Sequence, residues 1–193
     1  MDEVKLERRA VISTLLADRP ADLLVVPGLG STTWDLASLG DDARNFYLWG
    51  AMGGAAMIGL GLALARPDRR VVVVTGDGEM LMGLGSLGTI ALQAPDNLAV
   101  IVFDNGHYGE TGMQESHTKR AVNLVAAAQA CGFENVLDVS DEAGLAVLAG
   151  QVAAFGRLFF ARVRIRAEEP PRVLPERDGV VLKTRFRRAI GAG

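Results

Sequence analysis

Arg70-Val71-Val72-Val73-Val74-Thr75-Gly76-Asp77-Gly78 and the later Leu98-Ala99-Val100-Ile101-Val102-Phe103-Asp104-Asn105-Gly106-His107-Tyr108-Gly109 share one plan. Each is a continuous apolar run, β-branched throughout in the first, that closes on small and polar residues. A strand that is apolar at every position is buried on both faces, which places it in a parallel sheet covered by helices on both sides. Between the two runs, Met80 to Gln93 has helical spacing and is expected to form one helix. Strand, helix and strand in that order predict an α/β fold, a three-layer sandwich with a central parallel sheet. Ligands of such sheets bind at the carboxyl ends of the strands. The turns at Gly76-Asp77-Gly78 and Asp104 to Gly109 are therefore expected on one rim.

The same alternation continues in both directions. Leu6 to Leu16 reads as an amphipathic helix and Asp22 to Val26 as a short buried strand. Pro27-Gly28-Leu29-Gly30-Ser31-Thr32-Thr33 is a glycine-rich turn leading into a helix over Trp34 to Leu39. Met52 to Ala65 reads as a buried helix. Toward the C-terminus, Leu124 to Cys131 and Glu142 to Phe155 have helical spacing, and Val136 to Val139 and Leu158 to Ile165 read as strands. With no linker, repeat or low-complexity tract, residues 1–193 are expected to form a single domain.

Composition narrows the function. Hydrophobic residues make up 49% of the chain, enough for a large core and too many for a disordered segment. The net charge of −3 and a pI near 5.4 lack the basic footprint of a nucleic-acid binder. The arginines gather instead between Arg157 and Arg188, where a solvated or docking surface is expected. Cys131 is the only cysteine, so the chain holds no internal disulfide and cannot by itself ligate an iron–sulfur cluster. Its apolar neighbours, Val125 to Ala130, predict a buried thiol. Asn45 to Ala65 carries no charge, but it is rich in glycine and runs into a sheet-forming segment, so a buried helix is expected rather than a membrane span. Met1-Asp2-Glu3-Val4-Lys5 lacks a secretory layout, which leaves the cytoplasm as the expected compartment.

Asp77 and Asn105, each closing an apolar strand, have the chemistry of a divalent-cation site. Mg2+ takes about six oxygen ligands, commonly including those of a diphosphate. The Asp77 carboxylate, the Asn105 amide oxygen and the His107 backbone carbonyl would supply half of that shell. Gly76 and Gly78 would let backbone N–H groups approach phosphate oxygens at a helix start.

Paired in this way, the two motifs resemble the fingerprint of thiamine-diphosphate-dependent enzymes. Asn45-Phe46-Tyr47-Leu48-Trp49-Gly50-Ala51-Met52-Gly53 and Tyr108-Gly109-Glu110-Thr111-Gly112-Met113-Gln114-Glu115-Ser116-His117-Thr118 extend the likeness. They resemble the diphosphate-binding half of the decarboxylase branch, in particular the β subunit of sulfopyruvate decarboxylase and phosphonopyruvate decarboxylase. The likeness covers nearly the whole chain, to Leu182-Lys183-Thr184-Arg185-Phe186. It implies thiamine diphosphate and Mg2+ as cofactors, with Asp77, Asn105 and the His107 carbonyl on the metal. It implies that the Gly50 carbonyl holds the cofactor's amino group and that Met52 props the cofactor in a bent conformation. Gly30, Ser31, Gly76, Gly78, Tyr108 and Gly109 would line the diphosphate. Glu79 stands where relatives have a small residue, and it is expected to offer its backbone N–H and turn its carboxylate away.

The family also needs a second, pyrimidine-binding domain that carries a catalytic glutamate. The resemblance therefore implies a hetero-oligomer in which a separate α-type chain supplies that glutamate and the substrate is a small 2-oxoacid. Glu110 and His117 are the candidate catalytic groups on this chain, and Gln114 and His117 the candidate substrate contacts. The family's loop reads Thr-Gly-Gly-Gln-Pro-Thr-His-Thr, so Met113 and Glu115 depart from it. A carboligase of the acetolactate-synthase type would use the same cofactor, and a degenerate cofactor-binding subunit would keep the fold. The intact Asp77 and Asn105 argue against the second. The β subunit of a ferredoxin-linked oxidoreductase is disfavoured by the missing cluster cysteines.

Overall fold

A computed structural model describes residues 6–192. Its centre is a five-stranded parallel sheet in the order β1-β2-β3-β7-β6, built from β1 (Leu23–Pro27), β2 (Arg70–Gly76), β3 (Leu98–Asp104), β7 (Phe159–Arg164) and β6 (Val136–Val139). These are the strands expected from the sequence. In register, Val71 lies beside Leu98 and Gly76 beside Phe103, so the two decisive turns leave the sheet as neighbours.

Period-2 alternation divides the side chains between two cores. Val72, Val74, Ala99, Ile101 and Phe103 face one side, covered by α1 (Arg8–Leu15), α2 (Ser31–Ala37) and α7 (Glu142–Ala154). Val71, Val73, Leu98, Val100 and Val102 face the other, covered by α3 (Ala55–Ala65), α5 (Ser86–Gln93) and α6 (Leu124–Ala130). This is the three-layer arrangement the sequence predicts.

Several helices differ from expectation. Met80 to Gln93 is not one helix: α4 (Asp77–Met82) begins at the aspartate itself, and Gly83-Leu84-Gly85 separates it from α5. A Cβ at Gly83 would lie 2.3 Å from the Gly53 carbonyl oxygen, so the break accommodates a crossing chain. The α3 helix starts at Ala55 rather than Met52 and is buried on one side only, since Met57 and Leu64 are exposed. No helix among the described residues is long and apolar enough to cross a membrane. Cys131 is exposed, not buried: it caps α6 beside the exposed Gln129 and Ala130, and Phe133 takes the buried position that follows. The arginine-rich C-terminal region is not all solvated surface either. Arg162 is buried and pairs with Asp138 and Asp104.

After β7 the chain crosses the rim without regular structure and enters α8 (Gly179–Ala189), capped by Asp178. Leu182 joins the first core, and Phe186 and Ile190 join the second. This helix is not among those expected from the sequence. Near the strand ends, β4 (His107–Tyr108) and β5 (Gln114–Glu115) form a small hairpin over the sheet rim.

Candidate functional site

The carboxyl ends of β1, β2 and β3 open into a cleft of about 280 Å3. Its walls include Leu29 and Ser31 after β1, Gly76 to Glu79 after β2, Asn105 and His107 to Thr111 after β3, and Met52 from the turn before α3. The sheet topology thus brings together segments far apart in sequence, as expected for this class.

Asp77 is the first residue of α4 and is buried. The Ser116 hydroxyl donates to its Oδ2, and Thr118 Oγ1 lies 3.1 Å from the same oxygen. Thr118 Oγ1 is also 2.7 Å from Asp104 Oδ1, and a single hydroxyl proton serves one of these carboxylates at a time. Burial raises the Asp77 pKa above the usual carboxylate range; the Ser116 bond opposes this and the neighbouring Asp104 charge adds to it. Both hydroxyl contacts fall on Oδ2, and Oδ1 takes part in neither. A buried carboxylate facing a second one is costly, and a divalent cation at Asp77 would offset that cost. The donor chemistry therefore fits Mg2+.

Asn105 also lines the cleft. Its Oδ1 accepts from the His107 backbone N–H at 2.9 Å, while His107 Nδ1 lies 2.7 Å from the Asn105 carbonyl oxygen. The His107 ring thus braces the turn that presents the Asn105 amide. Gly78 is required sterically, since a Cβ there would lie 2.6 Å from the Tyr108 ring. Tyr108 covers the start of α4, and its hydroxyl pairs with His117 Nδ1 at 2.9 Å. Gly30 has φ +79 and opens α2, whose first residue, Ser31, donates to Glu110 Oε1 at 3.0 Å. Met52 is partly exposed and flanked by Ala51 at φ 57 and Gly53 at φ +88, so this turn holds the side chain at the mouth of the cleft.

The Glu79 carboxylate is buried and accepts from the Leu29 N–H, the Gly53 N–H and the Thr75 hydroxyl. Burial raises its pKa, and those hydrogen bonds oppose the shift.

Other predicted residues fall elsewhere. Gly50 is exposed and lies outside the cleft lining. Gln114 is exposed and bonded to Thr111, and His117 is turned toward Tyr108, so neither lines the cleft in this chain. Arg8, Ser116, Thr118 and Asp104 were missed. Arg8 lies in the Leu6 to Leu16 segment read only as an amphipathic helix, yet it is buried in an ion pair with Asp35 at 2.6 Å and borders the cleft. Ser116 and Thr118 carry no local signal, since Ser116 caps a short 3-10 turn, Thr118 lies within it, and both reach Asp77 only through the tertiary fold.

The family described as "Thiamine pyrophosphate enzyme, C-terminal TPP binding domain" matches residues 29–160. The chain belongs to this family. The match to this TPP-binding domain ends before Leu182-Phe186, which the sequence reading had included. Phosphonopyruvate decarboxylase of Streptomyces viridochromogenes is 48% identical over 129 residues, covering 67% of this chain and 32% of that protein. Sulfopyruvate decarboxylase subunit beta of Methanocaldococcus jannaschii is 43% identical over 119 residues, covering 62% of this chain and 63% of that subunit. The chain thus spans about a third of the first relative and under two thirds of the second. Benzoylformate decarboxylase from Polynucleobacter necessarius superposes with a TM-score of 0.74 at 20% identity, over 89% of this chain and 36% of that one, which supports the fold.

Proposed function

We propose that residues 1–193 act as a single diphosphate-binding domain, a subunit of a thiamine-diphosphate- and Mg2+-dependent 2-oxoacid decarboxylase. The observation that carries this reading is the meeting of Asp77 and Asn105 at adjacent strand ends, in a cleft that Met52 also lines. Asp77 and Asn105, with the His107 carbonyl, hold the metal. Ser116 and Thr118 orient the Asp77 carboxylate from behind, the outer-shell role that raises metal affinity. Gly30, Ser31, Gly76, Gly78 and Gly109 would let the backbone approach the diphosphate, and Tyr108 would line the same part of the cleft. Met52, at the mouth of the cleft, would prop the cofactor in its bent conformation. Bound thiamine diphosphate supplies the electron sink for the pair left behind when carbon dioxide departs.

The similarity to sulfopyruvate and phosphonopyruvate decarboxylases supports a small 2-oxoacid with a second acidic group as substrate. The names of the subunit-beta relatives support a separate partner chain, which we assign as the pyrimidine-binding, glutamate-bearing half. We place the chain in a reducing cytoplasm, where its one thiol, the exposed Cys131, would stay reduced.

Calorimetric titration of thiamine diphosphate with Mg2+ tests the site. Asp77→Ala is expected to abolish Mg2+-dependent binding without unfolding the chain, because it removes the only formal anion assigned to the metal. Asn105→Ala is expected to weaken binding less, since water can replace a neutral amide oxygen. Unchanged affinity in Asp77→Ala would rule out this site.

A further inference from the structure

Glu79 sits in the first turn of α4, only 4% exposed, and its carboxylate accepts from donors in three segments. Oε2 accepts from the Leu29 N–H at 3.1 Å and from the Thr75 hydroxyl at 2.8 Å. Oε1 accepts from the Gly53 N–H at 3.3 Å. Leu29 belongs to the loop after β1, Thr75 to the end of β2, and Gly53 to the turn before α3. Leu29 precedes Gly30 and Ser31, and Gly53 follows Met52. One carboxylate therefore ties the Ser31 wall of the cleft to the Met52 wall.

The surroundings are shaped to this carboxylate. A Cβ at Gly28 would lie 1.7 Å from Glu79 Oε2, so Glu79 fills the space that a side chain there would need. Gly53 is held less tightly, its Cβ 3.1 Å from the Met82 Cβ and 3.2 Å from the Gly83 nitrogen, but its φ of +88 favours glycine. A buried carboxylate is a costly way to fill volume, and an apolar side chain would do so more cheaply. What the carboxylate adds is directed acceptor capacity toward two loops at once.

We propose that Glu79 is a positioning residue whose carboxylate fixes the spacing between the Leu29–Ser31 loop and the Met52–Gly53 turn, and so sets how tightly the cleft holds its cofactor. The cofactor half of this inference rests on the function proposed above; the clamp itself does not.

The two halves are tested separately on the full chain. Residue-resolved amide hydrogen exchange on the cofactor-free protein reads the clamp, with the Val100 and Ile101 amides of the central strand β3 as a control for global unfolding. In Glu79→Ala, protection at both Leu29 and Gly53 is expected to fall at least tenfold while β3 stays protected. Glu79→Gln has one acceptor oxygen, and its NH2 must face a donor, so protection is expected to fall at one of the two amides and persist at the other. Gly28→Ala is expected to lower the thermal midpoint, and adding Glu79→Ala is expected to recover most of that loss. Equal protection of Leu29 and Gly53 in the wild type and Glu79→Ala would overturn the clamp. So would a Gly28→Ala defect that Glu79→Ala leaves unrelieved.

Titration of thiamine diphosphate with Mg2+ into the same variants reads the second half, with a tenfold or greater weakening expected in Glu79→Ala and a smaller one in Glu79→Gln. Freed amides with unchanged affinity would overturn the link to the cofactor. A wild-type chain that binds no thiamine diphosphate would overturn that link together with the proposed function, and the exchange data would still decide the clamp.

Discussion

Asp42 illustrates how a single residue holds an edge of this sheet. Arg44 Nη2 lies 2.6 Å from its Oδ2, the Arg44 backbone N–H donates to its Oδ1 at 2.8 Å, and Arg19 Nη1 approaches at 3.5 Å. The Arg44 hydrogen bonds hold the Asp42 carboxyl down at about 2. The turn so fixed covers the outer edge of β1. Val25 donates its N–H to the Arg44 carbonyl at 3.1 Å, and Phe46 donates to the Val25 carbonyl at 2.9 Å. Covering an edge in this way keeps other chains from pairing with it. A carboxylate whose folded pKa is depressed contributes stability that is present above its unfolded pKa and lost as pH falls through the folded one. Asp42→Asn is thus expected to lower stability at pH 7 by no more than about 1 kcal/mol, the pair being partly exposed. The gap to wild type should narrow as pH falls from the ordinary value of 3.8 toward about 2. Thermal melts of both proteins across that range check it, and a gap independent of pH would reject the charge pair as its source.

Among the elements, α3 packs closely on the sheet at Gly59. A Cβ at Gly59 would sit 2.2 Å from Val73 Cγ2 and 3.4 Å from Leu98 Cδ1, so the glycine lets the helix backbone approach β2. The neighbour is a stiff β-branched side chain in the middle of a strand, which cannot swing aside. Gly59→Ala is expected to destabilise the chain by about 1–3 kcal/mol through overpacking, more than offsetting the gain in helix propensity. Adding Val73→Ala opens the space, so the double variant should cost less than the two single changes summed. Denaturant melts of the four proteins would measure this coupling, and strict additivity would show that the contact is relieved elsewhere. The same glycine-rich pattern explains why the extent of α3 was hard to read. Its composition is apolar all round, which gives no sign of which side is buried, and Met57 and Leu64 prove to be outside.

On the scale of the whole molecule, the cleft lies at one rim of one sheet, and its mouth carries the partly exposed Met52. Among the described residues, Glu110 and Glu79 are the glutamates that line it, and both are engaged by protein donors: Glu110 by Ser31, and Glu79 by Leu29, Gly53 and Thr75. The chain is therefore expected to release no carbon dioxide from any 2-oxoacid by itself, even with saturating thiamine diphosphate and Mg2+. Mixing with a glutamate-bearing partner chain should restore turnover. Carbon dioxide assays on the purified chain and the mixture check this. Robust release by the chain alone would defeat the split-enzyme reading and direct attention to Glu110.

The amino-acid order alone determined the layer architecture, because runs such as Val71 to Val74 and Leu98 to Phe103 are apolar at every position and can only be buried on both faces. It also determined that Asp77 and Asn105 share a rim, since each ends a strand of the same parallel sheet. Tertiary structure decided what surrounds them. That Ser116 and Thr118 reach back to Asp77, that Arg8 borders the cleft through its pair with Asp35, and that Glu79 bridges two loops depend on contacts between segments far apart in the chain. Local periodicity reports which face of an element is apolar, but not which polar side chain a distant loop will meet there. The same limit applied to Cys131, which caps α6 exposed although the residues before it are largely apolar.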